Sequence, residues 1–274
     1  MEIIDTHCHL DTEPFEKNFR RLIQRAHGVG ITTMVMPGIT ESGWSRLLQL
    51  SKTHTGLFAA PGLHPLFLRT HTPSHLEKLA AITKQESLVA IGEIGLDYFV
   101  KDMDQNAQQI LFEQQLSIAD GAKLPVILHV RKAHDQVLAT LRKKQFVHGG
   151  VVHAFTGSHQ QALQYGKLGF MIGFGGPLTY TRARRLRDMA TKLPQETIVL
   201  ESDAPYLSPN RYKGKQNLPE YLLETIKTLA ALRQEPLTLT ALYTSENARR
   251  VLKLPPRDKI FTATTITDVN NNTE

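Results

Sequence analysis

With 274 residues the chain is long enough to bury a large core, and its single cysteine, Cys8, excludes an internal disulfide. No basic segment followed by an apolar one opens the chain, and no apolar run approaches the about 20 residues that cross a bilayer. We therefore expect a cytoplasmic protein without a membrane span. The formal net charge of +6 suits a polyanionic substrate, although a basic surface can also serve solubility alone. One short basic cluster contains Arg182, Arg184, Arg185 and Arg187.

Short apolar runs along the chain predict eight strands. Each run is almost continuously apolar rather than alternating, which is typical of parallel strands buried on both faces. The runs cover residues 3–6, 32–36, 57–60, 88–92, 125–129, 151–153, 170–172 and 198–200.

Amphipathic segments between these runs predict helices, because their apolar residues recur at helical spacing. The stripes consist of Phe15, Phe19, Leu22, Ile23 and Ala26; of Leu111, Leu116 and Ala119; of Val137, Leu138 and Leu141; of Leu222, Leu223, Ile226, Leu229 and Ala230; and of Leu239, Leu242 and Val251.

Strands that alternate with helices predict an α/β fold in which a parallel sheet closes into a single (β/α)8 TIM barrel. An open doubly wound sheet is the alternative, but no Gly-x-Gly-x-x-Gly follows the first strand. The barrel domain is predicted over residues 1–257. Residues 258–274 are rich in Thr and Asn, lack an apolar stripe and are predicted to form a loosely held C-terminal tail.

Residues that can bind metal ions follow five of the predicted strands, all at the same end. His7 and His9 end the first strand as His-Cys-His, and residues two apart in a strand point the same way. The other four are Glu93, His129, His153 and Asp203, which end or follow the fourth, fifth, sixth and eighth strands. Active sites of TIM barrels lie at this end, so we expect the six side chains to converge there.

Six nitrogen and carboxylate ligands exceed the number that one tetrahedral ion needs. The set therefore predicts two divalent ions per subunit, of Zn, Mg or Mn, with Glu93 as the bridging carboxylate. Two ions about 3.5–4 Å apart can stabilise both the attacking and the leaving oxygen of a phosphodiester.

The remaining histidines lie in helical or loop stretches and are interpreted as surface or packing residues. They are His27, His54, His71, His75, His134, His148 and His159. His64 differs, because Gly-Leu-His-Pro follows the third strand and places it at the predicted mouth, where it could orient a phosphate rather than bind a metal.

The motifs together resemble the TatD family of metal-dependent deoxyribonucleases, with most similarity to its YjjV-like branch. They are Asp-Thr-His-Cys-His-Leu-Asp, Gly-Leu-His-Pro, Gly-Glu-Ile-Gly-Leu-Asp-Tyr, His-Val-Arg, His-Ala-Phe-Thr-Gly-Ser and Glu-Ser-Asp-Ala-Pro-Tyr-Leu. The resemblance runs from residue 3 to 255. It implies a TIM barrel with a binuclear metal site that hydrolyses DNA, and it matches the same six metal ligands by position.

The resulting hypothesis is hydrolysis by a metal-activated water, with Asp203 and Glu93 as the catalytic carboxylates. Arg131, two residues beyond His129, is a candidate phosphate contact, and a surface salt bridge is the alternative. Family members often carry Arg-Asn before a proline on the substrate side. Here the run is Lys-Gln-Asn-Leu-Pro, which leaves Asn217 as a candidate substrate contact. Glu201 shares the face of Asp203 and could orient a ligating histidine.

Two other interpretations remain open. The same ligands could serve a hydrolase of an amide, a lactone or an aminoacyl ester. A non-catalytic metal-containing binding protein is disfavoured, because structural sites are usually closed and four-coordinate. We expect DNA as the substrate, no obligate protein partner and a monomer.

Overall fold

The computed structural model describes residues 1–256, in which eight parallel strands alternate with α-helices. The strands are β1 (Ile3–Asp5), β2 (Ile31–Pro37), β3 (Leu57–Ala60), β4 (Ile91–Asp97), β5 (Val126–Arg131), β6 (Gly150–Val152), β7 (Phe170–Phe174) and β8 (Ile198–Leu200). The helices are α1 (Glu13–Glu16), α2 (Phe19–Gly28), α3 (Trp44–Thr53), α4 (Pro73–Gln85), α5 (Gln105–Gly121), α6 (His134–Lys143), α7 (His159–Lys167), α8 (Arg184–Lys192), α9 (Leu222–Arg233) and α10 (Leu237–Val251).

The strands form a barrel, as the sequence predicts. Regular parallel ladders join β1, β2 and β3 into one arc. They join β4, β5, β6, β7 and β8, in this order, into a second arc. Backbone bonds join the two arcs at both ends: among them, the amide of Thr6 donates to Leu200 O at 3.0 Å, and the amide of Gly92 donates to Pro61 O at 3.2 Å. Both seams therefore carry hydrogen bonds, and the open-sheet alternative does not apply.

A separate apolar cluster fills the barrel interior, with contributions from seven strands and from the two residues before β4. Its members are Ile4, Val35, Ala60, Val89, Ala90, Ile127, Val151, Met171 and Val199, together with Ala248, Val251, Leu252 and Leu254 from the end of α10 and the residues after it. Because side chains alternate along a strand, residues two positions beyond this layer also face inward, toward the C-terminal mouth. His129 and His153 stand in this relation to Ile127 and Val151.

The larger core lies between the strands and the surrounding helices, and it contains most of the predicted stripe residues. The stripe of α10 is an exception. The helix is present, but Leu239 and Leu242 are exposed, whereas Thr240, Ala241 and Thr244 are buried. Small and hydroxylated residues allow α10 to pack closely against β1 and β8, which the apolar pattern alone did not indicate.

Strand β4 differs most from its prediction, since it begins at Ile91 and extends to Asp97, past the predicted end at residue 92. The extension is paired with β5, in which Arg131 lies opposite Asp97, and Gln108 of α5 binds the last residue from the other side. The side-chain amide of Gln108 accepts from Asp97 N at 2.9 Å and donates to Asp97 O at 3.1 Å, in the manner of a neighbouring strand. Glu93 therefore lies within β4 instead of following it.

The tail predicted over residues 258–274 lies outside the described residues, as does the final residue of the predicted barrel domain, residue 257. Within residues 1–256, no helix has both the length and the apolar character needed to cross a membrane.

Candidate metal centre

The first two histidines come from the segment that continues β1. Backbone bonds alternate between its two neighbours: the amide of Cys8 donates to Val35 O, and the amide of His9 donates to Ala204 O. This extended geometry turns the buried Cys8 side chain into the outer core and points both imidazoles into the mouth. The Nε2 atoms of His7 and His9 consequently lie 3.1 Å apart.

Glu93 lies at the centre of the cluster, and its two carboxylate oxygens face different histidines. Its Oε2 is 3.2 Å from His7 Nε2 and 3.8 Å from His9 Nε2. Its Oε1 is 2.9 Å from His129 Nδ1 and 3.3 Å from His64 Nε2. One carboxylate thus joins two groups of imidazoles, which is the arrangement of a bridging ligand.

Asp97 binds His129 on the side of the ring that faces away from Glu93. The carboxylate Oδ2 lies 2.9 Å from His129 Nε2, and Oδ1 accepts the amides of Phe99 and Val100 at 3.0 and 3.2 Å. A proton on Nε2 leaves Nδ1 with a free lone pair toward Glu93. This tautomer is the one that a metal ligand requires.

His153 lies beside Glu201 at ion-pair distance. Its Nδ1 lies 3.1 Å from Glu201 Oε2, while its Nε2 faces Asp203 Oδ1 at 3.7 Å. Gly173 of β7 makes room for this carboxylate, because a Cβ at that position would lie 2.3 Å from Glu201 Oε2. The orienting role expected for Glu201 agrees with this geometry.

Asp203 completes the cluster after β8. Its Oδ1 lies 3.7 Å from the Nε2 atoms of His7 and His9 as well as from that of His153. The residue has a φ of +56°, a left-handed conformation that Asp tolerates better than most residues. The amide of Asp203 donates to His7 O, so the same backbone contact that closes the barrel also positions this carboxylate.

The two carboxyl groups that face the histidines have opposite pKa shifts. Burial opposes the charged form of Glu93, but the imidazoles of His64 and His7 hold its pKa well below the usual range. Burial raises the pKa of Asp203 to about 8 against the attraction of His153. Asp203 is therefore able to take up a proton near neutral pH, whereas Glu93 remains a carboxylate.

His129 and His153 each lie between two carboxylates. Burial disfavours both imidazolium ions, but the flanking carboxylates prevail and raise the pKa of His129 to about 9 and that of His153 to about 10. Without another cation in the centre, these rings hold protons. The carboxylates of the centre therefore stabilise positive charge. A divalent cation can supply this charge in place of the two protons.

Comparison with known proteins identifies the family. A family model described as TatD related DNase matches residues 4–253. The chain belongs to the TatD family. The metal-dependent hydrolase YjjV of Escherichia coli K12 is 41% identical over 235 residues, which cover 85% of this chain and 91% of that protein. The metal-dependent hydrolase YabD of Bacillus subtilis is 30% identical over 253 residues, 92% of this chain and 99% of that protein.

A solved structure agrees with these relatives. The crystal structure of Escherichia coli YjjV, described as a TatD homologue, matches this structure with a TM-score of 0.90 at 38% identity, covering 92% of this chain and 98% of that one. The predicted family and barrel fold are confirmed. This TatD chain is a metal-dependent hydrolase.

The residues of the TatD centre fit divalent cations. Potential ligand atoms lie within 4.8 Å of one another in three groups: His7, His153 and Asp203; His7, His9 and Glu93; and His64, Glu93 and His129. Carboxylate oxygens and neutral imidazole nitrogens suit Zn, Mn and related ions. The structure thus brings together all six residues that the sequence predicted as ligands.

The three predicted substrate contacts of the TatD chain have different positions. His64 and Arg131 line a cavity of 610 Å³ that opens above the histidines. The Nδ1 of His64 accepts the amide of Leu66 at 3.1 Å, so its Nε2 carries the proton and acts as a donor. Burial lowers the pKa of His64, which keeps the ring neutral. This tautomer favours contact with a substrate oxygen over metal ligation.

Asn217 departs from its predicted role, because it is buried and does not line the cavity. Its Nδ2 donates to Ser202 O at 2.7 Å and its Oδ1 accepts the amide of Leu218 at 3.0 Å. The amide is therefore used within the protein. It braces the segment that carries Asp203 instead of contacting a ligand.

Two carboxylates near the centre were not assigned from the sequence. Asp97 orients His129, and Asp5 accepts the amides of His7 at 3.1 Å and Ser202 at 2.8 Å, which ties the ends of β1 and β8 together. Their spacing gave a signal: Asp97 lies four residues after Glu93, and Asp5 lies two before His7. Without the tertiary partners, neither carboxylate could be distinguished from a further ligand.

Proposed function

We propose that this metal-dependent hydrolase cleaves phosphodiester bonds of DNA. The main support is the position of Glu93, whose two oxygens face separate histidine groups and so suit a pair of cations. Paired divalent ions can activate water and neutralise charge on a phosphoryl group. The ligands to hold them would be His7, His9, Glu93, His129, His153 and Asp203.

The side chains of the centre have distinct roles in this proposal. The carboxylate of Asp203, whose Oδ1 faces His7, His9 and His153, accepts the proton of the attacking water. His64 donates from Nε2 to a non-bridging phosphoryl oxygen. Arg131 binds a second oxygen with its guanidinium, which is held 3.7 Å from the ring centre of Phe99.

The cavity also has features that suit phosphate. Glu93 and Arg131 line it, and so do Phe67, Tyr206 and Leu207, whose side chains are exposed. A phosphodiester presents a charged group flanked by apolar ring surfaces, and this mixed lining suits it. Tyr206 in particular offers a ring on which a base can stack.

An ester or amide substrate is the second candidate, since the apolar residues that line the cavity would also accept an acyl group. The deciding experiment incubates the purified protein, loaded in turn with Mg, Mn or Zn, with single- and double-stranded DNA and with panels of esters and amides. We expect DNA cleavage that EDTA stops and that added metal restores. Cleavage of an ester or amide with no cleavage of DNA under every metal would refute the proposal.

A further inference from the structure

A second and larger cavity of 1380 Å³ opens directly beside the metal cavity. The loops that follow β5, β6 and β7 line it. The two cavities share Arg131, Phe155, Thr156 and Leu186, so they are continuous along this wall. A ligand long enough to leave the metal cavity on this side enters the second one.

We call this second cavity the basic groove, because five cationic side chains line it: Arg131, Lys132, Arg182, Arg184 and Arg185. Two carboxylates, Asp135 and Asp188, line it as well. Both already have partners, since Asp188 lies 2.8 Å from Lys192 Nζ and Asp135 accepts from Gln161 at 2.8 Å.

The cations, by contrast, are free to meet a ligand. Within residues 1–256, the ion pairs of Arg and Lys side chains involve none of the five. All five residues are exposed. The groove consequently presents an excess of uncompensated positive charge next to the centre.

Arg184 and Arg185 stand where a positive charge does not stabilise the folded protein. Arg184 and Arg185 begin α8, where the positive end of the helix dipole repels cations, and the N-cap residue Ala183 offers no side-chain acceptor. An anion at this point would interact with both arginines and with the free amides of the first turn. The fourth arginine of the cluster differs, since Arg187 donates to Leu178 O at 3.1 Å and holds the preceding turn.

Arg131 connects the two cavities. Its guanidinium stacks on the ring of Phe99, which is 52% exposed at the rim. Stacking restricts the rotamers of a long side chain, so the charge is held at the boundary instead of moving freely in solvent. Phosphates on either side of this point would meet a fixed cation.

We propose that the basic groove binds the backbone phosphates of the polynucleotide segment next to the bond that is cleaved. The inference rests on the proposed function and adds the direction in which the substrate leaves the centre: across Arg131 and toward α8. It assigns Lys132, Arg182, Arg184 and Arg185 to substrate binding at a distance from the reacting atoms. They contribute affinity for long substrates and nothing to the chemistry of small ones.

The test compares two variants of equal charge. The groove variant carries Arg182→Ala, Arg184→Ala and Arg185→Ala. The control variant carries Lys84→Ala, Lys143→Ala and Lys167→Ala, three exposed residues in the last turns of α4, α6 and α7, at the opposite end of the barrel. Because alanine is the strongest helix former, the substitutions within α4, α6, α7 and α8 should leave these helices formed.

Binding of a fluorescent oligodeoxynucleotide with phosphorothioate linkages is measured by anisotropy on metal-loaded protein between about 50 and 200 mM salt. Each phosphate contact on a single strand contributes about 0.7 to the slope of log K against log salt, so the groove variant should lose about 2 from this slope. We also expect its KM for a cleavable oligonucleotide to rise by about tenfold or more, with unchanged hydrolysis of bis(4-nitrophenyl) phosphate.

The result that would overturn the inference is a groove variant whose salt dependence and KM equal those of the control variant. Displacement of the oligonucleotide by polyglutamate of the same charge at equal concentration would likewise overturn the assignment to a polynucleotide. The proposed function fails separately: if the wild-type protein cleaves no phosphodiester, the binding series still decides whether the groove holds a nucleic acid strand.

Discussion

Replacing Asp97 by asparagine removes one negative charge behind His129 and leaves the shape of the side chain nearly unchanged. In the wild type, Oδ1 accepts the amides of Phe99 and Val100, and Oδ2 faces His129 Nε2 at 2.9 Å. The asparagine oxygen would keep the two amide bonds, which leaves its NH2 group opposite Nε2. Two donors then face each other, so the imidazole proton must move to Nδ1, the atom that faces Glu93.

A protonated Nδ1 cannot bind a metal, and the loss of such an orienting group typically weakens metal affinity by about 10–100-fold. This range corresponds to about 1.4–2.7 kcal/mol. We expect the Asp97→Asn variant to reach the upper end, because the substitution reverses the tautomer as well as removing charge. The fold should be retained, since the amide bonds to Oδ1 persist.

The assay is competition for Zn or Mn against a chromogenic chelator, with the melting temperature as a check on folding. Asp120→Asn is a matched control, because Asp120 Oδ1 lies 3.1 Å from His148 Nε2 far from the centre. Equal metal affinity of the Asp97→Asn and Asp120→Asn variants would refute the tautomer argument. A large loss of melting temperature in the Asp97 variant alone would indicate a structural role instead.

Three other predictions concern the centre itself. Asp203→Asn should abolish turnover without unfolding the protein, and near wild-type rates in the metal-replete variant would contradict its role as base. Gly173→Ala should displace the Glu201 carboxylate and lower kcat about 10–100-fold, and combining it with Glu201→Asp, which shortens the side chain, should restore part of that loss. Metal binding must displace protons from His129 and His153, whose pKa values are raised to about 9 and 10, so affinity should continue to rise above pH 7. Calorimetry in buffers of different ionisation enthalpy checks this release, and affinity that levels off above pH 7 would contradict it.

The sequence predicted four of the metal ligands from local rules. His129 and His153 end short apolar runs, and alternation along a strand turns them to the same side as the interior residue two positions earlier. His7 and His9 lie two residues apart on either side of Cys8 and so share a face, although Ile4, the interior residue of β1, lies three residues before His7. These positions could be predicted without knowing how the strands pair.

The substrate side could be predicted only for His64 and Arg131, which follow or end strands, because the rest depends on which loops meet. Asn217 was assigned by its neighbourhood in the sequence, yet the chain folds it behind Ser202. The groove arginines formed only a short basic cluster in the sequence. They form one surface with Arg131, which lies some fifty residues earlier in the chain, only because the fold brings the loop before α8 beside it.

The metal centre of this barrel is built on the layer of inward-facing side chains that lies directly beyond the interior apolar cluster. Ile127, Val151 and Val199 pack in the interior cluster, and His129, His153 and Glu201 follow each of them by two residues. The distances among the ligands are therefore set by the same packing that fixes the barrel, which leaves little freedom for the centre to vary. The basic groove, and the part of the metal cavity lined by Phe67, Tyr206 and Leu207, are built from loops that this packing does not constrain. A change of substrate within such a scaffold consequently requires only changes in the loops, and we propose that the charge on the loops after β5 and β7 directs this chain toward a polyanion.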